Sequence, residues 1–127
     1  MNKAQFEELV ALAVEDLPAE FQEKLENIDI VVEDFPSRSQ LRFAGKGNTL
    51  LGLYEGVPMT QRTSNYGLVA PDKITIFQRT IEEKCSGQFE SVIKAEIQSV
   101  VRHEIAHHFG IGDARLQEIE EEKKKSI

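Results

Sequence analysis

One stretch constrains this chain more than any other. Residues 89–109 form its longest helical pattern, gather all three histidines between 103 and 108, and run into Gly110. Val92, Ile93, Ile97, Val100 and Val101 recur at helical spacing, an apolar stripe that anchors a helix on a core. Glycine takes the left-handed conformation that ends helices, so Gly110 is the expected stop.

The other segments supply what this helix packs against. Phe6, Leu9, Val10, Ala13, Val14 and Leu17 give a helix over 4–17, and Phe21 and Leu25 a short one over 19–26. Ile28 to Glu33 alternates and is β-branched, so it predicts a strand. Leu50 to Tyr54 and Lys73 to Arg79 predict two more. Residues 35–48 and 55–72, rich in Gly, Pro, Ser and Asn, predict loops. A helical piece is expected around 80–85 and a final helix over 114–125. The order gives an α+β fold, a small three- to four-stranded sheet packed on helices, in one domain spanning 1–127.

The long helix carries His103-Glu104-Ile105-Ala106-His107. Two histidines at i and i+4 lie on one face, one turn apart, so their rings can converge on one ion. Neutral imidazole is a favoured zinc ligand. Glu104 is offset by about 100° on the wheel, so it reaches a water beside the metal without ligating. The alternative is a solvated helix face. His108 points elsewhere, as a surface or satisfied histidine.

A catalytic zinc takes three protein ligands, so a further donor is required. Asp113 is the candidate: Gly110 and Gly112 let the chain turn back towards the metal. Its alternative role is to N-cap the helix expected from Ala114. Glu96 is about 10 Å up the helix axis, too far to ligate, and reads as a supporting or structural residue. Cys85 reads as a small buried hydrophobe.

Composition bounds the partners. A net charge of -7 disfavours nucleic acid and anionic membrane surfaces. One cysteine forms no intrachain disulfide, the early apolar run Leu9 to Val14 is too short for a membrane span, and Glu7 and Glu8 stand where the apolar stretch of a signal peptide would begin. A cytoplasmic protein is expected.

Taken together, His103 to Asp113 fits H-E-x-x-H-x-x-G-x-x-D and resembles a bacterial family of minimal zincin-like metallopeptidases. The resemblance extends to Leu51-Gly52-Leu53-Tyr54-Glu55-Gly56-Val57-Pro58 and to Lys73 to Arg79, and so covers most of residues 50–120. It implies a zincin-like core, Zn2+ held by His103, His107 and Asp113, and Glu104 as general base; it gives a chemistry rather than a target, and the expected partner is a peptide or protein substrate. The pattern is also similar to metzincin endopeptidases, but no methionine follows the motif and the third ligand is Asp rather than His.

Zinc supplies a water with a pKa near ~7. Glu104 is expected to accept its proton during attack on a carbonyl and to pass it to the leaving amine. Tyr66, Arg62 and Arg79 are candidates for a second electrophile, with surface or structural roles as the alternative. Lys73 to Arg79 is the expected strand edge for an extended peptide. Two other readings are a zinc-dependent endoribonuclease, whose family has a small residue at Glu104 and His at Asp113, and a non-catalytic zincin-fold binding module.

Overall fold

The computed structural model describes residues 1–42, 50–56 and 72–110. The elements within them are α1 (Lys3–Glu15), α2 (Ala19–Leu25), β1 (Ile28–Glu33), α3 (Arg38–Leu41), β2 (Gly52–Glu55), β3 (Asp72–Phe77), α4 (Gln78–Lys84) and α5 (Glu90–Phe109). Helices and a small mixed sheet make an α+β fold, as expected.

The sheet order is β1-β3-β2. β3 runs parallel to β1 and antiparallel to β2, with Ile30 and Tyr54 both opposite Ile74. The expectation that Lys73 to Arg79 forms an edge is therefore corrected: β3 is the central strand. Its composition agrees: Ile74, Thr75, Ile76 and Phe77 alternate between the two sheet faces and are all buried, as in a strand covered on both faces. The strand also ends two residues earlier than expected, because Gln78 and Arg79 turn into α4.

One core joins sheet and helices. Ile74 and Ile76 of β3 meet Phe6, Leu9, Val10 and Ala13 of α1, Phe21 and Leu25 of α2, and Ile93, Ile97, Val101 and Ile105 of α5. Val92, expected on the buried stripe, is 40% exposed, so α5 is seated through 93, 97, 100, 101 and 105 instead. Gln98 Nε2 donates to the Ala13 carbonyl at 3.0 Å, and Lys94 pairs with Asp16, tying α5 to α1. Lys84 and Glu96, 2.6 Å apart, tie it to α4, which gives Glu96 the structural role.

Local signals explain three of the helix ends. Asn2 and Gln5 form a reciprocal capping box at the start of α1. Ser37 and Gln40 form a second one and nucleate α3 inside a segment expected to be loop. Gly110 ends α5 at φ +70°, in the left-handed region, as expected. The helix expected over 114–125 and most of the 55–72 loop lie outside the described residues. Among the described residues, no helix is long and apolar enough to cross a membrane.

Candidate active site

The site is built where β2 crosses the C-terminal half of α5. Gly52 makes the approach possible: a Cβ there would lie 2.4 Å from Val100 Cγ1 and 3.2 Å from the Thr75 carbonyl oxygen. Two strand residues rise about 6.6–6.8 Å and four helical residues about 6 Å, so the elements stay in step. Gly52 sits on Val100, the Tyr54 amide on Glu104, and Gly56 next to His108. Val100, Glu104 and His108 thus form the stripe of α5 that meets β2. His103 and His107 form the adjacent, exposed stripe.

Strand alternation sets the direction of each group. Phe77 N–H donates to the Leu51 carbonyl at 3.0 Å, so the odd-numbered residues of β2 bond to β3. The Tyr54 N–H therefore points to the outer edge, where it donates to Glu104 Oε1 at 2.9 Å. Glu104 is half-buried. Burial raises its pKa above the usual carboxylate value, against the opposing pull of the Tyr54 amide, His107 and His103.

His103 is oriented by its own helix. Its Nδ1 lies 2.7 Å from the Ser99 carbonyl oxygen, and a carbonyl only accepts, so Nδ1 carries the proton. The lone pair is left on Nε2, the ligating tautomer, fixed by a main-chain partner. His107 is exposed one turn on, about 6 Å along the axis. This donor chemistry fits a zinc ion: two exposed imidazoles on one face, one oriented by a main-chain carbonyl, and a carboxylate beside them rather than among them. Among the described residues, no three His, Cys, Asp or Glu side chains come together as a metal-holding group. Asp113 lies outside the described residues, as do Arg62 and Tyr66.

The remaining candidates are placed away from this chemistry. Arg79 lies past the end of β3 opposite to Asp72. There it bonds to the Met1 carbonyl at 3.2 Å and to Glu82 at 3.1 Å, with Asp34 at 3.6 Å, so it has a structural role and is no second electrophile. Cys85 is buried and free, as expected. His108 is occupied by stacking: its ring lies parallel to that of Tyr54, with centroids 3.7 Å apart and planes at 12°. Phe109 meets both rings edge-on, and Lys24 Nζ lies 5.2 Å from its centroid.

Tyr54 and Asp72 are the residues that sequence reasoning missed. The Tyr54 hydroxyl donates to Asp72 Oδ2 at 2.6 Å. The only sequence signal is the pair of glycines, Gly52 and Gly56, that flank the tyrosine at strand spacing on one sheet face.

The family model for zincin-like metallopeptidases matches residues 25–123. A solved structure of a conserved hypothetical protein from Thermus thermophilus is similar in fold, with a TM-score of 0.55 at 23% identity over 86% of this chain and 94% of that one. No curated protein matches the chain.

Proposed function

The chain belongs to the zincin-like metallopeptidase family, and on that premise we propose that it is a zinc-dependent peptidase, one domain over 1–127, with His103, His107 and Asp113 as ligands and Glu104 as general base. The observation that carries this reading is Glu104 itself. Its carboxylate is half-buried between the histidine stripe and the outer edge of β2, held there by the Tyr54 amide, and burial raises its pKa above the usual carboxylate value.

Bound zinc supplies Lewis acidity and a water that ionises near neutral pH. The chain's own residues do the rest. The Ser99 carbonyl holds the His103 ring with Nε2 outward. The Tyr54 amide holds one carboxylate oxygen of Glu104. The other oxygen accepts a proton from the attacking water and returns it to the leaving amine. The substrate is a peptide, lying extended along the outer edge of β2 rather than along β3. The net charge of -7 favours such a substrate over RNA.

The test is metal content on protein purified without a chelating column. Wild type should carry close to one zinc per chain, and His103→Ala, His107→Ala and Asp113→Ala should lose it. A wild type that takes up no zinc on reconstitution overturns the reading.

A further inference from the structure

Tyr54 reaches the motif helix through its main chain and its ring, and β3 through its hydroxyl. The amide donates to Glu104 Oε1 at 2.9 Å, the ring covers His108 at 3.7 Å, and the hydroxyl donates to Asp72 Oδ2 at 2.6 Å. Sheet geometry makes the last contact possible. Tyr54 is opposite Ile74, so Asp72, two residues earlier, is its diagonal neighbour on the same face, within reach of a long aromatic side chain. Gly56 closes the cluster: a Cβ there would lie 3.7 Å from Asp72 Oδ1, His108 Cε1 and Tyr54 Cε1.

β2 needs such a fastening. It has four residues, pairs on one side only among the described residues, and includes a glycine that contributes no side chain. Short edge strands of this kind hold their register weakly. A slip of β2 would carry the Tyr54 amide away from Glu104.

We infer that Tyr54 is a positioning residue for the general base: its hydroxyl bond to Asp72 and its stack on His108 hold β2 in the register at which its amide grips the Glu104 carboxylate. The inference rests on the reading of Glu104 given above. It assigns the ring and hydroxyl of Tyr54 no contact with substrate, because they act through Glu104.

Two measurements test it. The first is amide hydrogen exchange by NMR on the metal-free protein. Tyr54→Phe removes the hydroxyl and Asp72→Ala the carboxylate that accepts from it. Each should speed exchange at residue 54 by about tenfold, what one hydrogen bond supplies, while the Ile74 and Ile76 amides stay unchanged. Asp72→Asn, which keeps an acceptor, should retain most of the protection. The second is turnover of a quenched-fluorescence peptide library by the zinc-loaded protein. In Tyr54→Phe, kcat should fall by a similar factor with KM and zinc content unchanged.

Wild-type exchange at residue 54 in Tyr54→Phe overturns the inference. So does a uniform loss of protection across β2 and β3, the mark of a merely structural contact. If exchange responds as stated but wild type cleaves no peptide, the grip on Glu104 stands and the peptidase reading fails.

Discussion

The main-chain amide of Tyr54 and the carboxylate of Glu104 meet at 2.9 Å, although fifty residues separate them in the chain. An edge strand usually spends its outward N–H groups on solvent or on another strand. Here one is spent on the acidic residue of the motif, which fixes that side chain beside the two histidines. The same contact places the edge strand β2, rather than the central β3, beside Glu104.

Glu104→Gln separates chemistry from structure. The glutamine oxygen can still accept from the Tyr54 amide, but the side chain takes no proton. Zinc content should equal that of wild type, and kcat on any cleaved peptide should fall by roughly 10²–10⁴-fold. Full activity in this variant would remove Glu104 from the mechanism.

The same substitution has a pH-dependent effect on stability. In the metal-free protein, burial raises the Glu104 pKa on folding. The folded state then binds the proton more tightly, so its stability declines as pH rises from the ordinary glutamate range through the raised value. Glu104→Gln removes that decline. Denaturation midpoints of the metal-free proteins should coincide at acidic pH, with the variant the more stable near neutrality.

The carbonyl of Ser99, not its hydroxyl, makes the short contact to His103: 2.7 Å against 3.4 Å. Ser99→Ala should therefore change zinc affinity by no more than about twofold, where loss of an orienting partner typically costs 10–100-fold. Competition with a chromophoric chelator measures this directly.

Gly52→Ala drives a methyl group into Val100 Cγ1, and overpacking of this kind costs about 1–3 kcal/mol. Val100→Ala opens the space. The double variant should be less destabilised than the sum of the two singles, as read from urea midpoints. Additive effects would mean that β2 does not press on α5 at this point.

Burial, with Glu96 nearby, raises the Cys85 thiol pKa above its ordinary value, against the pull of Lys84. The native protein should react slowly with a thiol reagent at pH 8 and show its one thiol only after unfolding. Rapid labelling in the native state would contradict the packing of α4 on α5.

Patterns confined to one element were legible in the sequence. The helix bearing His103, Glu104 and His107 followed from apolar spacing, and its end from Gly110, because helix periodicity and left-handed glycine are local properties. β1 was found at its full extent, Ile28–Glu33, from alternation and β-branched residues. The box of Ser37 and Gln40 was equally local, yet the glycines and serines around it concealed α3 within a presumed loop.

The sequence by itself determined what could ligate and what could take a proton, since the spacing of His103, Glu104 and His107 fixes their faces on any helix that forms. Tertiary structure alone decided what stands opposite those faces. Sheet order made β3 central and β2 the edge, and that placed Arg79 away from the site and Tyr54 at it. Strand pairing and the seating of β2 on α5 join residues far apart in sequence. They depend on the shape of the whole core, down to the missing side chain at Gly52, and no local pattern carries that information.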